Sequence, residues 1–289
     1  VANRGEVAVR IIRACKEMGI ATVAVYSQAD ANALHVNLAD EHICIGKSQV
    51  KDSYLSMNAI LSAALCTGAE AIHPGYGLLS ENEKFAQLCE KCGVSFIGPS
   101  AQVIGRMGNK EEARRTMEKA GVPVIPGCDV IESLEQAKAE ADRIGYPLLC
   151  KARSGGGGRG IRLVNKPEEF EKAFLTASQE AASAFGDRGI YLERFLTHTK
   201  HIEMQLICDL HGNVVCLGER ECSMQRKNQK MIEESPSPVV SPQLRQRMME
   251  VSVQAAKAVG YTNVGTIEYL LDDQGEFYFM DMNTRLQVE

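Results

Sequence analysis

The stretch PLLCKARSGGGGRGIRLV, residues 147–164, sets four consecutive glycines between Lys151 and Arg159. Such a run leaves backbone N–H groups free to cradle an anion and lets a ligand come close to the main chain. It fits G-x-G-x-x-G from Gly155 to Gly160, but a dinucleotide fingerprint opens directly into a helix, and here IRLV follows with strand-like alternation. It does not fit G-x-x-x-x-G-K-[ST], because its lysine precedes the glycines. What remains is a hairpin tip between two strands. The chemistry of that tip suits a mobile lid over a nucleotide; a plain surface hairpin is the alternative.

Outward from this hairpin, the two sides of the chain read differently. On the N-terminal side, GEVAVRIIRACKEMG, SMNAILSAALCTG and NEKFAQLCEKCG have helical spacing, while ATVAVYS, AEAIHPG and VSFIGPS read as strands. Strand and helix alternate to about residue 100, which predicts a doubly wound parallel sheet. A helix NKEEARRTMEKAG follows, entered through Gly108-Asn109, and then SLEQAKAEADRIG. On the C-terminal side Pro167 opens a helix running to about Phe185. IYLERFL, HIEMQLICD and NVVCLGERECS predict one antiparallel sheet, the last two joined by the DLHGN turn. The helix PQLRQRMMEVSVQAAKAVG leads to a hairpin, VGTIEYLL-DDQG-EFYFMDMN. The predicted division is an α/β domain over 1–107 and an incomplete α+β domain over 108–289.

The totals exclude several classes. The chain has 289 residues, 45% of them apolar, and a net charge of −5, which allows a sizeable core but offers no basic stripe for nucleic acid. No apolar run approaches the roughly 18 residues of a membrane span. VANRGEVAVRIIRAC is broken by Glu6 and Arg10 and is no signal peptide. The ten cysteines follow no framework spacing, which predicts a reducing, cytoplasmic setting. Cys89-x-x-Cys92 reads as two thiols at a helix end, with a zinc or redox pair as the alternative. Both chain ends read as cut, so a fragment of a longer polypeptide is expected.

The last hairpin carries the most chemistry. With DDQG as its centre and Asp272 opposite Gly275, Glu268 faces Phe279 and has Asp281 as its diagonal neighbour, roughly 7–8 Å away. Two carboxylates so placed bracket a divalent ion that phosphates share; a bulge would reverse the parity. If the backbone stays extended, Asp281, Asn283, Arg285, Gln287 and Glu289 share one face, functional or simply solvated. CSMQRKNQK, residues 222–230, is a dense polar run that reads equally as a loop or a site. In HPGYGLLSEN, residues 73–82, Tyr76 between two glycines suits a ligand crevice at a strand's C-terminal end.

Together ANRGE, HPGYGLLSEN, GGGGRG, CSMQRKNQK and MNTRLQVE resemble, in colinear order from first residue to last, the biotin carboxylase component of biotin-dependent carboxylases, an ATP-grasp family. The resemblance is greatest to the biotin carboxylase subunit of bacterial acetyl-CoA carboxylase, and implies the first half-reaction of an enzyme that makes malonyl-CoA for fatty acid synthesis. It implies a Rossmann-like N-terminal domain, an ATP-grasp domain with its glycine-rich lid subdomain at about 123–196, and a missing C-terminal domain. It implies that Lys110, Lys151, Gly157 and Gly158 contact ATP phosphates and that Glu193, Arg194, Phe195 and Leu196 line the adenine pocket. His201 and Asn228 meet the ribose and nearby phosphates, and Gln225 and Glu268 count among the nucleotide contacts. Glu268, Asp281 and Asn283 hold magnesium or manganese. Lys230, Arg285, Gln287 and the Val288 backbone hold bicarbonate, Tyr76 and Gly77 lie near the bicarbonate and biotin pocket, and Glu289 is the base.

The implied reaction is ATP-dependent carboxylation of biotin through carboxyphosphate. The implied partners are a biotin carboxyl carrier protein, a carboxyltransferase and a second copy of the full chain. Three positions depart from the family pattern: Asn228 stands where histidine is common, Asp281 where glutamate is usual, and Arg153 where a small residue is common. The competing expectations are another ATP-grasp ligase, such as a carbamoyl-phosphate synthetase half, and a non-catalytic ATP-binding module.

Overall fold

The computed structural model describes residues 1–131, 133–152, 161–185, 188–227 and 229–289. Arg153, Gly157, Gly158, Arg159 and Asn228 therefore lie outside the described residues. The chain forms two compact units: Val1–Val122 with His201–Tyr269 and Phe279–Glu289, and Pro123–Lys200 with Leu270–Tyr278.

The first unit begins with α1 (Gly5–Glu17), β1 (Val23–Ser27), α2 (Leu34–Leu38), β2 (Glu41–Gly46), α3 (Met57–Cys66), β3 (Ala71–Ile72), α4 (Glu83–Lys91), β4 (Ser95–Phe96), α5 (Ala101–Gly108) and α6 (Lys110–Lys119). The expected parallel pairing is present, as two short pairs, β1 with β2 and β3 with β4. Residues 1 and 2 bridge them: the Val1 amine donates to the Val23 carbonyl at 2.7 Å and Ala2 N–H to that of His73 at 2.9 Å. Three helices start where their caps predict. Ser56, Asn82 and Asn109 accept backbone N–H bonds at the heads of α3, α4 and α6. The reading missed α2, β2 and α5; Ser100 caps α5, its hydroxyl accepting Val103 N–H. Cys89 is buried and Cys92 is exposed at the end of α4. Neither belongs to a metal-ligand grouping among the described residues.

The second unit holds α7 (Leu134–Ile144), β5 (Leu148–Ala152), β6 (Ile161–Val164), α8 (Pro167–Phe185) and β7 (Ile190–Arg194). Its sheet order is β6-β5-β7, antiparallel throughout. The strand–loop–strand reading of 147–164 is right on both flanks. Ala137, Ala141, Ala177 and Ala181 let α7 and α8 lie close on this sheet, where Leu148, Cys150 and Leu192 are also buried. The placement of IYLERFL needs correction: β7 does not join the following strands, because its backbone pairs with β5.

The chain continues with β8 (Lys200–Cys208), β9 (Val214–Arg226), β10 (Gln229–Glu234), α9 (Pro242–Val259), β11 (Asn263–Leu271) and β12 (Phe277–Asn283), in the sheet order β10-β9-β8-β11-β12. Within CSMQRKNQK, residues 222–226 end β9 and residues 229–230 begin β10, and the two strands pair antiparallel. α9 starts at Ser241, whose hydroxyl accepts Leu244 N–H, and ends at left-handed Gly260. Among the described residues, no helix is long and apolar enough to cross a membrane.

The last hairpin is also corrected. Asp272 N–H donates to the Glu276 carbonyl at 2.9 Å and Gly275 N–H to that of Asp272. With Gly275 at φ +81° this is a three-residue loop with a glycine bulge, one residue out of the expected register. The buried positions then run Phe277, Phe279, Met282, Thr284, so the alternation slips again at Met280–Asp281. β12 ends at Asn283, and the expected extension of one face to Glu289 stops there.

One ion pair locks this sheet to its helix. The Glu219 carboxylate on β9, 2% exposed, takes three bonds from Arg245 on α9 at 2.6–2.9 Å and one from Ser237 N–H. Burial alone would raise the Glu219 pKa, but the Arg245 bonds hold it below its ordinary 4.5. Arg245→Met strands that carboxylate, and an unfolding free energy about 3–5 kcal/mol lower is expected at pH 7. A depressed carboxyl contributes stability above its unfolded pKa and loses it as pH falls. The deficit should therefore narrow below pH 4.5 in urea titrations.

Candidate functional site

Alternation along β8 puts His201, Glu203 and Gln205 on one face. β9 brings Arg220 opposite Glu203, and Arg220 Nε donates to Glu203 Oε1 at 2.6 Å. From β10, Lys230 Nζ donates to Glu203 Oε2 at 2.5 Å and to Glu268 Oε1 on β11 at 3.0 Å, and lies 4.0 Å from Glu289 Oε1. Asn283 Nδ2 donates to Glu268 Oε1 at 2.9 Å, and its Oδ1 accepts from Arg285 at 3.1 Å. Arg285 Nε in turn donates to Glu81 at 3.0 Å. A bonded chain of alternating charge runs from Arg220 through Glu203, Lys230, Glu268, Asn283 and Arg285 to Glu81.

The burial of this chain sets its protonation. Glu203 is 0% exposed. Desolvation opposes its charge, but the bonds and charges of Lys230 and Arg220 prevail and lower its pKa. Glu268 shows the same contest, and His201 and Lys230 bring it down to about 2. Burial works against the Lys230 ammonium, and Glu203 and Glu268 more than offset that, so its pKa is raised. Lys230 is thus a fixed cation among three carboxylates and cannot serve as a base near neutral pH.

His201 has a defined tautomer. Gln225 Nε2 donates to the Cys222 carbonyl at 2.9 Å, which fixes the amide, and approaches His201 Nδ1 at 2.8 Å. Nδ1 is then the acceptor, and Nε2 lies 3.4 Å from Glu268 Oε2 without a hydrogen bond among the described residues.

Among the described residues, His201, Glu203 and Glu268 bring ligand atoms within 4.8 Å of one another. Lys230 and Arg220 already saturate Glu203, so a cation there would meet an ammonium. Glu268, Asp281 and Asn283 are oxygen donors of the kind a hard divalent ion takes. Asp281 fits that use: burial raises its pKa, and Glu268 and Glu81 add to the effect against the charge of Lys110. It is a carboxylate short of positive charge. Lys110 itself is exposed on the first turn of α6. There it adds its charge to the helix's positive end.

The remaining expected residues are placed as follows. Gln287 has a buried amide oxygen with no hydrogen-bond partner among the described residues, and Val288 is 71% exposed. Asn3 donates to the carbonyls of Pro74 and Tyr76 and so pins the loop that holds Tyr76 and Gly77. His73–Gly75 and Ser80, from the same loop, line a cavity with Thr284–Leu286. In the second unit, Lys151 Nζ donates to Glu193 Oε2 at 2.7 Å and lies over the Tyr191 ring. Arg194 and Phe195 anchor their backbones on the Pro126 and Pro147 carbonyls, and Phe195 and Leu196 are half-buried. Glu203, Arg220 and Glu81 were not foreseen. The polar parity of His201-Glu203-Gln205 in an apolar strand was the available signal for the first.

Comparison with known proteins gives consistent matches. Residues 1–104 match the family model "Biotin carboxylase, N-terminal domain", and residues 109–289 match "Carbamoyl-phosphate synthase L chain, ATP binding domain". The biotin carboxylase of Nostoc sp. is 55% identical over the whole chain, which spans 65% of that protein's length. Among solved structures, a beta-gamma-ATP complex of biotin carboxylase from Campylobacter jejuni matches with TM-score 0.88 at 50% identity, covering 100% of this chain and 65% of that one. The biotin carboxylase domain of a thermophilic 2-oxoglutarate carboxylase bound to bicarbonate matches with TM-score 0.94 at 47% identity, covering 100% and 63%.

Proposed function

We propose that this chain, which belongs to the biotin carboxylase family, is the nucleotide- and bicarbonate-handling part of an enzyme that carboxylates biotin at the expense of ATP. The convergence of Lys230 on Glu203, Glu268 and Glu289 carries the reading: a permanently charged ammonium stands beside a carboxylate 4.0 Å away that has no hydrogen-bond donor among the described residues.

The roles follow from the residue types. Lys230, Arg285, Gln287 and the Val288 backbone hold bicarbonate; the unpaired Gln287 oxygen suits its hydroxyl. Glu289 takes the proton, and the freed oxygen attacks the γ-phosphate to give carboxyphosphate and ADP. Carboxyphosphate then breaks down to CO₂ and phosphate, phosphate takes the N1′ proton of biotin, and the nitrogen captures CO₂. Such a transfer depends on positioning and charge neutralisation. Magnesium or manganese, held by Glu268, Asp281 and Asn283, would neutralise charge on the phosphates. Lys110, Lys151, Gly157 and Gly158 contact phosphates, Glu193–Leu196 line the adenine pocket, and His201, Gln225 and Asn228 face the ribose side. Gly157 and Gly158 belong to a lid that keeps water from carboxyphosphate. Tyr76 and Gly77 border the biotin approach, and the domain boundary lies at about residue 107.

For the whole protein we propose a biotin carboxyl carrier protein and a carboxyltransferase as partners, a homodimeric state, and a cytoplasmic location in which its thiols stay reduced. Acetyl-CoA is the first acceptor to test, on the resemblance to the bacterial acetyl-CoA carboxylase subunit. The deciding assay is ADP release by the full-length protein. Release should require bicarbonate and rise with free biotin. Tight ATP binding without such release would favour a binding module; ammonia-dependent turnover without biotin would favour a carbamoyl-phosphate type of ligase.

A further inference from the structure

Glu81 is remote in sequence from the proposed bicarbonate residues, yet it ends their bonded chain. Its Oε1 accepts Thr284 N–H at 3.1 Å and the Thr284 hydroxyl at 3.4 Å, and its Oε2 accepts Arg285 Nε–H at 3.0 Å. The loop that carries it is well fixed. Leu79 and Ser80 are buried, and Asn82 caps α4 through Phe85 N–H at 2.9 Å. Glu81 meets the chain where β12 has ended, so it satisfies a backbone N–H that no strand partner takes.

We propose that Glu81 is a positioning residue that sets the guanidinium of Arg285 for bicarbonate; this rests on the biotin carboxylase reading. Arg285 Nε is held by Glu81, one terminal nitrogen donates to Asn283 Oδ1 at 3.1 Å, and the other to the Leu286 carbonyl at 3.3 Å. Of five N–H groups, one on each terminal nitrogen is left, a pair suited to a planar anion. Without Glu81 the plane turns on its flexible stem, and the anion loses its line to the γ-phosphate.

Two effects oppose each other in Glu81→Gln. Removing a negative charge draws an anion in, but the Arg285 and Glu81 side chains are 22% and 41% exposed, and solvent screens the change. Misorientation acts on the chemical step, where small displacements cost up to about a hundredfold. The amide offers one oxygen for two donors, so it keeps either the Thr284 bond or the Arg285 bond. We expect kcat for bicarbonate-dependent ADP release by the full-length protein to fall about tenfold or more, on the same positional grounds. KM for ATP and the thermal midpoint stay unchanged. In an Arg285→Lys background, which lacks the fork, adding Glu81→Gln should have almost no further effect.

A kcat within twofold of wild type, or an undiminished loss in the Arg285→Lys background, overturns the proposal. Crystal structures of full-length wild type and Glu81→Gln give a readout that needs no turnover: Arg285 in one orientation in both overturns it, and loss of that single orientation in the variant supports it. If wild type itself shows no bicarbonate-dependent release, the functional reading fails, and the Arg285 orientation still decides the role of Glu81.

Discussion

Lys230→Met is expected to cut bicarbonate-dependent ADP release by the full-length protein by about a hundred- to a thousandfold, the scale of losing a preorganised charge at a reacting centre. The variant removes the cation shared by Glu203, Glu268 and Glu289. It should also unfold more readily by about 3 kcal/mol at pH 7, at the lower end for a broken buried ion pair, because Arg220 still holds Glu203. The pH dependence has a definite sign. The Glu203 carboxyl is depressed in the fold, so its contribution is present above the ordinary 4.5 and is lost as pH falls. The stability deficit should therefore narrow on acidification below that value. Lys230→Arg should restore the stability but not the rate, because a planar guanidinium cannot reproduce a point charge among three carboxylates. Stability and activity that both survive in Lys230→Met would remove Lys230 from the site altogether.

What the sequence disclosed was local. α1, α3, α4, α6, α7, α8 and α9 were legible because spacing and caps such as Ser56, Asn82 and Pro167 act within one turn of the residues they order. α5 was missed because Gly105 and Gly108 dilute its pattern and Gly98-Pro99-Ser100 looks like a stop. β10 has no alternation to read; its strand exists because β9 supplies the partner. In the last hairpin the turn residues gave the right location, but the left-handed Gly275 added a residue to the loop. A second slip at Met280–Asp281 followed, so a parity argument from one end could not survive to the other. Within the site, the terminal run from Asp281 to Glu289 was visible as chemistry. The partners that hold it were not, because Arg220 reaches Glu203 by register and Glu81 reaches Arg285 across 204 positions.

Glu289→Gln is expected to lower bicarbonate-dependent ADP release by about a hundred- to ten-thousandfold, the range for removing a positioned general base. The argument is one of elimination among the acceptors around Lys230. Glu203 is occupied by Arg220 and Lys230, and Glu268 by Lys230 and Asn283, so these carboxylates serve to hold cations and donors. Glu233 is the other candidate. Its carboxyl is pushed above its ordinary value, first by burial and then by the negative charges of Glu289 and Glu203. Glu289 lies 4.0 Å from the ammonium, outside hydrogen-bonding range, so its oxygens are not taken up by that cation. A glutamine there keeps the shape and loses the lone-pair charge. KM for ATP should hold steady while kcat falls, because the proton moves only in the chemical step. A rate in Glu289→Gln close to that of the wild type, combined with the loss in Glu233→Gln, would transfer the role to Glu233.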